Sequence, residues 1–195
     1  MTRPDQSLKA DYFEDMFQGD DDPWGLESRP YEAAKFDRSV QALEGRHYPR
    51  GFEVGCAGGT LTQRLAPLTG DLLAVDISET ALARARRRCA DQPQVRFARM
   101  AFPGQTPTEP GFDLIVLSEV AYYWDDADLD RAAAFVAQAL VPGGDLLLVH
   151  FTGETDYPQT GDAAVQKLAV ALATDIEVVR TERHSRYRLD LWRRR

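Results

Sequence analysis

Apolar positions follow two rhythms along this chain, and the change between them falls near residue 46. Before it, Leu8, Tyr12, Phe13, Met16 and Phe17 recur at helical spacing over residues 8–18, and Tyr31, Ala34, Phe36, Val40 and Leu43 do so over 30–43. The run Gly19-Asp20-Asp21-Asp22-Pro23-Trp24-Gly25 separates the two helices, and Pro30 suits a first helical turn. From residue 51, short apolar runs alternate with helical stretches. Strands are predicted ending near Val54 and over 72–75, 95–99, 112–117 and 146–151. Helices fall between them: one stopped by Pro67, one capped by Ser78 and closed by Arg84 to Arg88, one over 127–140, and one over 162–173. Residues 102–110, with three prolines, read as loop, and Val141-Pro142-Gly143-Gly144 reads as the turn into the fifth strand. The last two runs, 176–181 and 186–192, flank a short turn at His184 and predict an antiparallel hairpin.

This alternation implies an α/β fold, doubly wound, with a mostly parallel seven-stranded sheet, a terminal antiparallel hairpin and an N-terminal helical lid. Residues 1–195 read as one domain, with 1–45 as the lid and 46–195 as the core. A chain of 195 residues with 44% hydrophobic content suits that size. The formal charge of −8 argues against a general electrostatic grip on nucleic acid. Charge is uneven: Glu14, Asp15 and Asp20 to Asp22 make one end acidic, while Arg183, Arg186, Arg188 and Arg193 to Arg195 make the other basic. Such arginines either bind phosphates or form the solvated face of a terminal strand. Two cysteines, Cys56 and Cys89, are too few for a disulfide framework. The start has no apolar signal core and no run is long enough to span a bilayer, so a cytoplasmic protein without membrane partners is expected.

The chemistry concentrates where the first strand meets glycine. In Phe52-Glu53-Val54-Gly55-Cys56-Ala57-Gly58-Gly59, three glycines in five positions follow a strand and precede a helix, which lets the backbone turn sharply and approach a ligand. The next strand ends in an acid, Asp76, at the distance of a carboxylate that bonds ribose hydroxyls. The glycines do not fit the G-x-G-x-x-G of dinucleotide enzymes. No zinc spacing is present among His47, His150 and His184, so no metal is expected.

Together with Phe112-Asp113-Leu114-Ile115-Val116 and Leu140-Val141-Pro142-Gly143-Gly144, these motifs resemble the Rossmann-like (class I) S-adenosylmethionine-dependent methyltransferases over residues 51–151. Tyr12-Phe13, Asp22-Pro23-Trp24-Gly25, Tyr31-Glu32, Lys35 and Leu117-Ser118-Glu119-Val120-Ala121-Tyr122-Tyr123 further resemble the nodulation-factor N-methyltransferase (NodS-like) family, which methylates the free amine of a deacetylated chitooligosaccharide. The resemblance implies S-adenosylmethionine as methyl donor and S-adenosylhomocysteine as product. It places Glu53 near the methionine moiety, the backbone of Gly55, Cys56, Ala57 and Gly59 in the cradle, Asp76 on the ribose and Ser118 beside the cofactor, while Ile77 either packs against adenine or is ordinary core. Ala57 departs from the family's middle glycine, and Ala101 stands where an acid usually pairs with adenine, leaving Phe102 to pack on the base.

Trp24 and Tyr31 read as lid residues or as ordinary packing on the sheet edge. Lys35, one turn beyond Tyr31, either reaches a carboxylate of cofactor or substrate or is solvated. Glu119, after the fourth strand, is expected to orient the acceptor amine or accept its proton, and Tyr122 and Tyr123 either line the acceptor pocket or form a partly buried cluster with Trp124. His150 has an ordinary pKa suited to base work, or is a hydrogen-bonded structural residue. The function expected is methyl transfer to a small polar acceptor, foremost the amine of an amino sugar. The alternatives are a small-molecule O-methyltransferase, a non-catalytic S-adenosylmethionine-binding module and, least favoured by charge, an RNA-modifying enzyme.

Overall fold

Local capping and apolar rhythm together account for the elements. The computed structural model describes residues 3–109 and 111–195; Met1 and Thr2 of the start, and Pro110 of the 102–110 loop, lie outside the described residues. The helices are α1 (Ala10–Gly19), α2 (Pro30–Ala42), α3 (Thr60–Leu65), α4 (Glu79–Arg88), α5 (Asp126–Ala139) and α6 (Gly161–Ala171). The strands are β1 (Tyr48–Val54), β2 (Thr69–Asp76), β3 (Val95–Arg99), β4 (Phe112–Ser118), β5 (Leu140–Phe151), β6 (Ile176–Arg183) and β7 (Tyr187–Arg194). Three helices start on side chains that accept an orphan backbone N–H: Ser78 from Ala81, Asp125 from Asp128 and Thr160 from Ala163.

The seven strands form a sheet in the order β3-β2-β1-β4-β5-β7-β6. Pairing is parallel in β1–β2, β2–β3 and β4–β5, and antiparallel where β7 joins β5 and β6. The mostly parallel sheet with a terminal hairpin is therefore observed. The described residues divide into two compact units: Lys9–Ala101, and the residues up to Leu8 together with Phe102–Arg195. The two N-terminal helices belong to the first unit, with β1, β2 and β3. In the second unit Leu114 to Leu117 of β4 and Leu146 to Val149 of β5 are all fully buried, each worth about 1.5–3 kcal/mol in water-excluded apolar surface.

Two local expectations need correction. Pro67 does not merely stop α3; it sits in a 3-10 turn, Ala66–Leu68, where its fixed φ is tolerated. Val141-Pro142-Gly143-Gly144 is not a turn ahead of β5 but a bulge within it. Leu140 pairs with Phe112 and Asp145 with Leu114, so four residues oppose one. Gly143 holds φ +77° there, and a Cβ on Gly144 would stand 2.8 Å from the Val141 carbonyl oxygen.

The basic end is tied down by side-chain contacts, while Arg183, Arg186 and Arg195 are also exposed to solvent. Arg193 makes a bidentate pair with the fully buried Asp145 (2.8 and 3.2 Å), Arg194 donates to the Leu140 carbonyl, and Arg195 to those of Ala173 and Thr174 (both 3.1 Å). Arg183 and Arg188 share Asp162, and Arg186 lies over the Phe151 ring. Among the described residues, no helix is long and apolar enough to cross a membrane.

Candidate functional site

In the first unit, β1 runs into a loop that needs left-handed backbone at three of five positions: Gly55 (φ +71°), Ala57 (φ +48°) and Gly59 (φ +82°). The loop is stitched to the end of β2. The amides of Gly55 and Cys56 donate to the Val75 carbonyl (2.8 and 3.0 Å), and the Ala57 amide donates to Asp76 Oδ2 (2.9 Å). Asp76 Oδ1 accepts from the Ser78 amide (2.9 Å). Beneath the loop, Cys56, Ala74, Leu82 and Ala85 pack together. Gly59 is required twice, by its positive φ and because a Cβ would lie 3.0 Å from the Ala85 Cα. Gly59→Ala is therefore expected to cost about 2 kcal/mol in chemical denaturation, with a parallel loss of ligand binding at the loop.

The electrostatics of this cradle are unusual. Glu53 is 2% exposed, and its Oε2 has no hydrogen-bond partner among the described residues. Burial, with a further push from Asp76, raises its carboxyl to about 7, against a smaller opposing contribution from the Thr62 hydroxyl. Burial likewise raises Asp76 to about 6, partly offset by the backbone amides it accepts. A loop of left-handed turns beside two buried acids, one of them with an unsatisfied oxygen, fits a ligand that brings an ammonium and vicinal hydroxyls. Cys56 and Cys89 are buried free thiols, and burial pushes both upward. They are poor nucleophiles.

The N-terminal helices are held to this cradle by arginines of α4. Arg84 donates to the Phe17 (2.6 Å), Asp21 (2.7 Å) and Asp20 (3.1 Å) carbonyls and pairs with the Asp21 carboxylate at 3.0 Å. Arg88 donates to the Gly58 carbonyl at 2.8 Å and pairs with Glu27. Glu14 of α1 accepts from the Thr80 hydroxyl, the main reason its carboxyl falls to about 2. The sequence pattern assigned Arg84 to Arg88 only to the helix dipole. The acidic loop 20–22 was the available signal for the partners of Arg84.

Trp24 is half-buried with its ring edge-on to Phe17 (5.3 Å between centroids), and Ile77 is half-buried at the end of β2. Tyr31 lies under the Lys35 ammonium, 5.5 Å from its ring centroid. Lys35 is not solvated: it is 2% exposed and pairs with Glu32 at 2.6 Å. Ala101 closes this unit, half-buried.

The second unit carries the other group. Ser118, 9% exposed, ends β4 and is followed by Glu119 in a left-handed conformation (φ +58°), uncommon for a residue with a Cβ. The Glu119 amide donates to the Val149 carbonyl (2.8 Å). Its Oε2 accepts from the Tyr122 hydroxyl (2.6 Å) and the Phe151 amide (2.9 Å). Tyr122 stacks on Tyr157 (5.4 Å, 15°), and Tyr123 meets both rings edge-on at 4.6 Å. Burial first, then Glu119, raises Tyr122 well above the usual tyrosine range; burial and Tyr157 do the same for Tyr123. Both therefore remain hydroxyl donors at neutral pH. Tyr157 was not singled out by sequence, because a lone tyrosine in an irregular loop has no periodic signal.

His150 is fully buried on β5, and its Nε2 accepts from the Ala121 amide at 3.2 Å. That bond puts the lone pair of Nε2 on a backbone donor, which suits a structural histidine. Phe102 is 7% exposed and its ring packs on Trp124 and Phe135 at 5.5 and 5.3 Å. Among the described residues no group of three or more His, Cys, Asp or Glu gathers as a metal site.

A mostly parallel sheet with an antiparallel terminal hairpin, a strand–glycine–helix cradle and an acid closing the next strand define a class I, Rossmann-like methyltransferase. The family profile of Nodulation protein S (NodS) matches residues 10–175. The chain belongs to that family. It is 30% identical to Nodulation protein S of Rhizobium tropici over 93% of this chain and 80% of the relative. The N-methyltransferase NodS of Bradyrhizobium japonicum WM9, solved in complex with S-adenosylhomocysteine, shares the fold with a TM-score of 0.80 at 23% identity, covering 96% of this chain and 99% of that one. A structure from Pseudomonas syringae, provisionally assigned as a methyltransferase, is 37% identical with a TM-score of 0.73 over 85% of this chain and 100% of that one.

Proposed function

We propose that this chain transfers a methyl group from S-adenosylmethionine to the amine of a small polar acceptor, an amino sugar of the chitooligosaccharide type. The observation that carries this is Glu119. Its carboxylate is oriented by the Tyr122 hydroxyl and the Phe151 amide, beside stacked tyrosine rings. An anion attracts and orients an ammonium, and aromatic faces suit the apolar face of a sugar ring. When bound, S-adenosylmethionine supplies an electrophilic methyl on a sulfonium. The residues that hold it are Glu53 for the methionine ammonium, the backbone of Gly55, Cys56, Ala57 and Gly59, Asp76 for the ribose hydroxyls, and Ile77 beside adenine. Ala101 contributes backbone, and Trp24 and Tyr31 serve as lid residues.

The acceptor must present a lone pair, so its ammonium proton has to leave before attack. Glu119 receives that proton or passes it to solvent. An oxygen acceptor would ask for a free base, and the Ala121 amide on His150 Nε2 argues against that role. Lys35 acts by shaping the Tyr31 face, since its ammonium is paired with Glu32. The engagement of the terminal arginines favours a small molecule over nucleic acid. Two buried free thiols suit the reducing cytoplasm.

The test is mass spectrometry of a glucosamine-terminated chitooligosaccharide incubated with the protein and S-adenosylmethionine, with S-adenosylhomocysteine followed in the same tube. A methyl group localised to nitrogen is the expected result. S-adenosylhomocysteine without methylated sugar would move the search to other amines. Neither product would leave a binding module.

A further inference from the structure

The described N-terminal residues, 3–8, run along the second unit and bond to each segment that carries its tyrosines. Arg3 Nη1 donates to the carbonyls of Tyr157 (2.6 Å) and Gln159 (3.2 Å). The Leu8 amide donates to the Tyr123 carbonyl at 3.0 Å. Ser7 fastens the middle: its amide and hydroxyl donate to Asp125 Oδ2 (3.3 Å) and Asp128 Oδ2 (2.5 Å), and its hydroxyl accepts from the Asp125 amide (2.9 Å). The 152–160 loop that carries Tyr157 has no helix or strand of its own. The Gln159 amide then closes it onto the Tyr122 carbonyl at 3.1 Å.

We infer that residues 3–8 are a positioning strap: Arg3 and Ser7 hold Tyr157 against Tyr122 and Tyr123, making Tyr157 an acceptor-contact residue and the strap a determinant of acceptor affinity. This rests on the reading that the acceptor lies at Glu119 and its tyrosines. The strap's bonds end within its own unit, whereas Glu53, the glycine loop and Asp76 lie in the other. Its loss therefore changes acceptor binding and leaves cofactor binding alone.

Two readouts on the whole 195-residue chain test it, with Arg3→Ala and Arg3→Lys. The first is amide hydrogen exchange over 152–160, which needs no substrate. Arg3→Ala is expected to speed exchange at Gln159 and its neighbours about tenfold, and Arg3→Lys less, because an ammonium still reaches one carbonyl. The second is kinetics with the glucosamine-terminated oligosaccharide. Acceptor KM should rise about five- to tenfold in Arg3→Ala; kcat, S-adenosylhomocysteine affinity and thermal midpoint should stay near wild type, with partial rescue by lysine. Unchanged exchange overturns the strap whatever the activity. Faster exchange with unchanged acceptor KM, while Glu119→Gln still loses turnover, overturns the positioning role and leaves the functional reading standing. If the wild-type protein methylates no amino sugar, the functional half of the inference falls with that reading, and exchange still decides whether the strap holds the loop.

Discussion

Glu53→Gln is expected to make the protein more stable and its cofactor site weaker at once. The buried carboxyl is raised from an ordinary 4.5 to about 7, chiefly by desolvation. The native state thus holds its proton more tightly than the unfolded chain. That contribution to stability is fully present below about 4.5 and is lost as pH rises through about 7. By pH 8 the wild-type protein carries a buried charge costing about 3 kcal/mol, which glutamine does not. The variant's thermal midpoint should exceed wild type by roughly 5–10 °C at pH 8, and the gap should close near pH 4.5. S-adenosylhomocysteine binding should move the other way. A ligand ammonium favours the ionised carboxylate, so wild-type affinity should climb as pH rises towards 7. Glu53→Gln should flatten most of that climb and weaken binding about tenfold or more at neutral pH. Asp76, raised to about 6, retains a smaller slope in the same direction. Calorimetry at several pH values measures both quantities, and undiminished affinity in Glu53→Gln would remove this carboxylate from the ammonium site.

Glu119→Gln should cut turnover by about 10²- to 10³-fold with S-adenosylhomocysteine affinity unchanged. Glutamine keeps the length of the side chain and an oxygen to accept from the Phe151 amide, so folding should be nearly preserved. What it removes is the charge that draws the acceptor ammonium and the basic site for its proton. Glu119→Gly separates backbone from chemistry. It relieves a left-handed residue, worth about 1 kcal/mol, but leaves the Phe151 amide without its acceptor, so its stability gain should be small or negative while turnover is equally lost. A glutamine variant that turns over within a few-fold of wild type would assign Glu119 to backbone architecture.

The cradle was legible because its requirements are local. Positive φ at Gly55 and Gly59, an acid closing the next strand, and a serine cap three residues before Ala81 are all properties of short stretches. Strand β3 was legible to the residue for the same reason. The bulge at Gly143-Gly144 was not, because the sequence shows a turn-forming tetrapeptide and only the pairing of Leu140 with Phe112 reveals that the strand has already begun.

The second group was legible only in part. Glu119 and Tyr122 were singled out from their place after β4, but their 2.6 Å bond depends on a left-handed residue that no propensity predicts. Lys35 was expected either to reach a carboxylate of cofactor or substrate or to be solvated. Its ion pair with Glu32, one turn back, is what permits burial. His150 reads from sequence as base or structural residue, and the Ala121 amide on its Nε2, 29 residues away, is a contact no local pattern shows.

By itself, then, the amino-acid sequence determined the order of strands and helices, the glycine cradle with its acid, and the family to which the chain belongs, since each is written in periodicity or in contiguous motifs. Only the tertiary structure decided which charges are buried and which are paired. It brought Arg84 and Arg88 to the N-terminal helices, fastened the terminal arginines, and closed Tyr157 and residues 3–8 around Tyr122. Those outcomes join residues from 21 to 156 positions apart, and the energies of desolvation and hydrogen bonding that govern them exist only once the chain has folded.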